Sequence, residues 1–238
     1  GGSPIMSDDA DDVEDITSIC GGLNINIGTL NKNTIPSMFL AGKKANALGH
    51  IVLLDPVGAG ASRLRTDTAN RLMQEVRFDA VRGNISEIKT LCTGSGSTKG
   101  VDADAVDAVT EANLDDGVQL VKTFAQRAGC IVTVTGAIDL VSDGERCWCI
   151  RNGRAEMSRI TGTGCQLSAL MTAFLVANPD HKLAAAAAAV CMMGLAGEIG
   201  WANMQPGDGN STYRNRIIDA IFNMTGDALE KGAKYELR

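Results

Sequence analysis

The sequence predicts a layered α/β fold, in which a central, mostly parallel sheet is flanked by helices. Short apolar runs alternate with helical segments through the first half of the chain. Glycine-rich or acidic stretches follow several of those runs, where the active sites of such folds lie. Among 238 residues, 45% are hydrophobic and 21% charged, the balance of a globule with a substantial core. We expect one domain spanning residues 1–238.

LNINI (23–27) reads as the first strand and GT turns it. TIPSMFLAGKKANALG (34–49) has helical periodicity, with Pro36 near its start and Gly49 at its end. IVLL (51–54) is a short apolar strand that runs at once into DPVGAG (55–60). TDTANRLMQEV (66–76) is a helix, with Thr66 or Asp67 as its expected cap. FDAV (78–81) is the next strand, opening into RGNISEIKTL. The stretch at 92–102, CTGSGSTKGVD, is rich in glycine and serine and is expected to be a surface loop. DGVQLVKTFAQRAG (116–129) is a helix ending at glycine, and CIVTV (130–134) follows as a strand. DLVSDGERCWCI (139–150) suggests a hairpin about Asp143-Gly144, and RAEMSRI is expected to extend that antiparallel region. From Cys165 onward the chain is expected to be almost entirely helical, broken at NMQPGDG (203–209) and ending in a charged amphipathic tail.

Composition narrows the function. A formal charge of −6 and the lack of a basic, aromatic stripe argue against a nucleic-acid partner, though not against a local basic pocket for a nucleotide. Seven cysteines in a chain this long read as reduced thiols and point to the cytoplasm. No CxxC pairs are present, and the nearest approach, Cys147 and Cys149 in CWC, is not expected to chelate a metal. The start GGSPIM lacks the pattern of a signal peptide. LAAAAAAVCMMGLAGEIGWA (183–202) is apolar, but it is alanine-rich and carries Glu198; it reads as a buried helix and not as a membrane span.

Four stretches can carry chemistry. Asp55, immediately beyond a strand, can orient Mg²⁺ or its waters near a phosphate, or merely cap a turn. Gly58 and Gly60 let backbone approach a substrate. In RGNISEI, Arg82 can meet a phosphate, while Asn84 and Glu87 either serve a hydrated magnesium ion or form a capping box. Thr135 and Gly136 end another strand and suit either a nucleotide contact or an ordinary turn. In RITGTGCQLSAL, Gly162 and Gly164 precede unsatisfied helix-start amides, a cradle for an anion. Cys165 at that helix start can accept a proton from an alcohol, or be only a small packed side chain. The stretch is not a Walker A loop.

SPIM, NIGTL, LAGKKANALG, LDPVGAG, VRGNISEI, TVTG and ITGTGCQLSAL occur in that order over roughly residues 3–200. Together they resemble the hydroxyethylthiazole kinases of the ribokinase-like superfamily. The resemblance implies ATP- and Mg²⁺-dependent phosphorylation of the alcohol of 4-methyl-5-(2-hydroxyethyl)thiazole in thiamine biosynthesis or salvage. It also implies a ribokinase-like sandwich and a homotrimer with active sites between subunits. By the same resemblance Met6 and Gly162 bind the thiazole, and Arg82, Thr135 and Gly164 bind ATP. Asp55, Asn84 and Glu87 serve the magnesium-phosphate region, and Cys165 is the proton acceptor where wider relatives carry an aspartate. The chain begins almost at SPIM and is expected to lack the family's usual N-terminal helix and strand. The alternatives are a related kinase of hydroxymethylpyrimidine, pyridoxal or a sugar, or a nucleotide- or thiazole-binding protein weak in catalysis.

Overall fold

A computed structural model describes residues 2–93 and 108–238. Among these residues, seven strands form one sheet in chain order: β1 (Gly22–Asn26), β2 (Ile51–Asp55), β3 (Ala80–Asn84), β4 (Ile131–Thr135), β5 (Asp139–Ser142), β6 (Cys147–Ile150) and β7 (Tyr235–Leu237). Pairing is parallel from β1 to β4 and antiparallel from β4 to β7, so the expected mostly parallel sheet is a mixed one.

Because β1 to β4 are laid down in order across the sheet, right-handed crossovers keep their connecting helices on one face. These are α2 (Thr34–Leu48), α3 (Arg63–Glu75), α4 (Ile85–Thr93) and α5 (Leu114–Ala128), preceded by α1 (Val13–Ile19), which packs on α2. The opposite face is covered by the second half of the chain: α6 (Thr163–Ala177), α7 (Lys182–Ala202), α8 (Asn210–Asn223) and α9 (Gly226–Gly232). Strand β2 shows how the two layers share the sheet. Val52 and Leu54 point into the α2–α5 layer, and Ile51 and Leu53 into the α6–α8 layer. Each such fully buried side chain contributes about 1.5–3 kcal/mol of transfer free energy.

The expected glycine stops are realised: Gly49 and Gly129 end α2 and α5 with φ of 71° and 65°. The hairpin turns at Gly144, φ 100°. Helix α3 starts earlier than expected. Its cap is Ser62, whose Oγ accepts the Arg65 N–H, while Thr66 Oγ1 instead accepts the Gly60 N–H and donates to the Ser62 carbonyl. The RAEMSRI segment does not extend the hairpin; Ala155–Arg159 is a short 3₁₀ turn, entered through Gly153 at φ 116° and an Arg154–Glu156 ion pair. The tail is not helical to its end, since β7 pairs with β6.

Helix α7 and the turn before it are long and apolar enough to cross a membrane by composition, but the helix lies in the core between the sheet, α6 and α8. Its one acid, Glu198, accepts from Asn152 Nδ2, Gly153 N–H and Lys234 Nζ, which fastens the C-terminal strand to the helix. All seven cysteines are free thiols. Cys147 and Cys149, two apart on β6, share a face and are both buried in the α2–α5 layer. Residues 94–102 of the expected surface loop lie outside the described residues.

Candidate active site

The carboxyl ends of β1 to β4 and the start of α6 meet, and most of the residues singled out in the sequence gather there. Asn26 and Asp55 are register partners at the ends of β1 and β2, and Asn84 and Thr135 are partners at the ends of β3 and β4. Helix α6 brings Gly164, Cys165 and Ser168 across from the second half of the chain.

Asp55 is fully buried. Its Oδ2 accepts from Asn26 Nδ2 at 2.9 Å and from Ser168 Oγ at 2.8 Å. Its Oδ1 has no hydrogen-bond partner and faces Arg82 Nη1 at 3.6 Å. Burial raises the Asp55 pKa above the ordinary carboxylate value; Arg82, Ser168 and Asn26 act against that shift. Arg82, itself largely buried, donates through Nη2 to Thr135 Oγ1 at 2.6 Å, so its guanidinium stands across the strand ends. Gly164 makes room for it: a Cβ there would lie 2.6 Å from Arg82 Nη1.

Glu87 and Asn84 form the capping box that their spacing suggests. Glu87 Oε2 accepts the Asn84 N–H and Asn84 Oδ1 accepts the Glu87 N–H, at 2.7 and 2.8 Å. The other carboxylate oxygen reaches further and accepts the Gly58 N–H at 2.7 Å, which pins the turn after β2. Burial pushes the Glu87 pKa up to about 7, against the pull of those two backbone bonds and of Arg82. On the other side of that turn, Arg65 donates to the carbonyls of Val57 and Gly28 at 3.0 and 2.8 Å. It occupies the space a side chain at Gly58 (φ 73°) would need.

The TGTG turn has the backbone that its glycines allow. Gly162 is left-handed at φ 95° and caps α6 without a side-chain bond. The first helical bond runs from Gln166 N–H to the Gly162 carbonyl, so the amides of residues 163–165 have no acceptor within the helix. Cys165 is exposed, and its sulfur accepts from Asn26 Nδ2 at 3.1 Å. Asp139, just beyond the β4 turn, accepts the Gly136 N–H, and burial raises its pKa to about 7 against the pull of Arg82.

Met6 is not brought to this cluster. It lies on the extended N-terminal stretch and is 94% exposed. Among the described residues, no group of three or more His, Cys, Asp or Glu can hold a metal ion by itself. A cavity of about 430 Å³ lined by Asn46, Met73, Arg77, Phe78 and Ala128 lies at the opposite ends of the strands and touches none of these residues. Asn26, Arg65, Asp139 and Ser168 escaped sequence reasoning. None of the four carried a distinctive local signal.

A model of the hydroxyethylthiazole kinase family matches residues 1–227. The chain belongs to that family. Hydroxyethylthiazole kinase from Clostridium acetobutylicum is 54% identical over 236 residues, covering 99% of this chain and 86% of the relative. The one from Clostridium beijerinckii is 46% identical, covering 99% and 84%. Among solved structures, a hydroxyethylthiazole kinase protein from Pyrococcus horikoshii superposes with a TM-score of 0.86 at 29% identity, covering 100% of this chain and 85% of that one. A pyridoxal kinase from Staphylococcus aureus in complex with AMP-PCP and pyridoxal matches at a TM-score of 0.59 and 18% identity, a likeness of fold alone. The ribokinase-like α/β sandwich of the hydroxyethylthiazole kinases is thus the architecture of this chain.

Proposed function

We propose that the protein is a hydroxyethylthiazole kinase that transfers the γ-phosphoryl group of ATP to the primary alcohol of the thiazole. The observation that carries this reading is the meeting of the α6 start with Asp55 and Arg82 in a chain 54% identical to a hydroxyethylthiazole kinase. Phosphoryl transfer needs positioning and charge stabilisation more than covalent help, and the free amides of residues 163–165 together with the Arg82 guanidinium supply both. Cys165 takes the alcohol proton as the alcohol oxygen bonds to phosphorus. The bond between phosphorus and the β–γ bridging oxygen breaks, and ADP leaves with its electron pair. Arg82 and Thr135 hold the nucleotide phosphates, with Gly164 giving the guanidinium its place.

Mg²⁺ is usually held by one or two carboxylates together with phosphates and water, which suits a site where the described residues form no three-ligand cluster. The buried, unbonded Oδ1 of Asp55 is a hard oxygen donor that fits it. Glu87 and Asn84 support that region indirectly, Glu87 through the Gly58 turn. When bound, the ion neutralises charge on the transferring phosphates.

The exposure of Met6 supports the reading that the thiazole side of the site is completed by a neighbouring subunit of a homotrimer. Light scattering at assay concentration tests that assembly. Seven free thiols support placement in the reducing cytoplasm. The decisive assay is ATP- and Mg²⁺-dependent phosphate transfer to hydroxyethylthiazole, hydroxymethylpyrimidine, pyridoxal and a sugar, with the phosphomonoester identified by mass. Transfer to another acceptor with none to hydroxyethylthiazole overturns the substrate assignment.

A further inference from the structure

The Asn26 side chain is fixed at both ends of its amide. Oδ1 accepts the Gly28 N–H at 2.8 Å, so the nitrogen end must face the other way. That nitrogen carries two hydrogens and meets two acceptors, Asp55 Oδ2 at 2.9 Å and Cys165 Sγ at 3.1 Å. The two halves of the site, 139 residues apart in sequence, are therefore joined at the reacting centre by one planar group. Ser168 Oγ holds the same Asp55 oxygen at 2.8 Å, which leaves the carboxylate little freedom to turn away.

We infer that Asn26 is a positioning residue for the transfer: it aims the Cys165 sulfur and fixes it relative to Asp55. The inference rests on the reading of Cys165 as proton acceptor. A donor limited to structural support would not need to face the one exposed cysteine of the chain.

The test compares Asn26→Ala and Asn26→Asp with the parent enzyme by two readouts. The first is kcat and the KM for ATP. The second, taken without substrates at neutral pH, is the rate at which iodoacetamide alkylates Cys165, followed by peptide mass. Asn26→Ala is expected to lower kcat about tenfold, the effect of one hydrogen bond lost at the reacting centre, and to change the alkylation rate of the released sulfur at least about threefold. The KM for ATP is expected to stay within about twofold, because Arg82 and Thr135 keep their own bond. Asn26→Asp keeps the acceptor for Gly28 but sets a second carboxylate beside Asp55, and its loss of kcat is expected to be larger. Should that variant fail to fold, Asn26→Ala carries the test, with Asn26→Ser as its folded control.

Parent-like alkylation in Asn26→Ala, or a raised KM with unchanged kcat, overturns the inference. Full turnover in Cys165→Ala would instead remove the base role while leaving the alkylation result standing, so the two failures are told apart.

Discussion

Replacing Gly164 by alanine separates the placement of Arg82 from the stability of the fold. The new Cβ would stand 2.6 Å from Nη1 and 2.9 Å from Nη2, where ordinary contact begins at 3.4 Å. The guanidinium must therefore retreat by about 0.8 Å (3.4 − 2.6). It has nowhere to retreat without stretching its bond to Thr135 at 2.6 Å or its approach to Asp55 at 3.6 Å. Backbone strain adds nothing, because Gly164 is helical, and alanine gains about 1 kcal/mol of helix propensity over glycine. A displacement near 1 Å at a reacting centre costs up to about 100-fold in rate. We expect kcat/KM for ATP to fall about 10- to 100-fold, with the melting temperature unchanged or slightly raised. Steady-state ADP release and thermal unfolding, measured on one preparation, check both halves. A folded variant with parent-like kcat/KM would refute the claim that Arg82 meets the nucleotide where the structure puts it.

Cys165→Ala is expected to lower the single-turnover rate about 100-fold, and Cys165→Asp to retain transfer. Parent-like rates in the alanine variant would remove the proton-acceptor role and leave the amide cradle. Glu87 sets a pH dependence of stability. Its folded pKa of about 7 lies above its ordinary 4.5, so the native state binds the extra proton between those values. Its contribution is thus present below about pH 4.5 and lost as pH rises through about 7. Asp139, raised to about 7 from 3.8, acts in the same direction. Urea unfolding across that range should show a fall in stability that is shallower in Glu87→Gln. Glu198→Ala should cost about 1 kcal/mol, mainly by removing an acceptor from the buried Asn152 amide and the Gly153 N–H, with kcat unchanged. A parent-like denaturation midpoint would show that the contacts to Asn152, Gly153 and Lys234 contribute nothing net.

How much of this was legible depended on how local the cause was. The parallel strands announce themselves as apolar runs, and Gly49 and Gly129 end helices by backbone chemistry that any sequence carries with it. The Asn84–Glu87 box is legible for the same reason, as both partners lie within one turn. Strand β7 was not, because its charges are matched by partners elsewhere: Glu236 bonds Arg151, and Arg238 bonds Asp115 as well as Glu236. With three residues, and with Tyr235 and Leu237 both half exposed on its one apolar face, the strand is too short to announce itself. Helix α1 opens amid acids and buries only Val13 and Thr17, too little for a hydrophobic stripe. Ser168 looks like any polar residue in a helix until the sheet brings Asp55 beneath it, 113 residues away. Met6 is 94% exposed, so the packing of the described residues does nothing to mark its position.

The division of the sheet into a face built by the first half of the chain and a face built by the second has a consequence for when the protein becomes an enzyme. Strands β1 to β4 can pair and be covered on one side by α2 to α5 using residues up to Thr135 alone. At that point Asp55 and Arg82 are in place, but the amide cradle, Cys165 and Ser168 are not. A chain that has emerged only as far as Thr135 therefore still lacks the α6 amides, Cys165 and Ser168. The docking of α6 helps to bury the second face and also brings Cys165 and Ser168 to Asn26 and Asp55, so one packing contact serves both the core and the cluster at the strand ends.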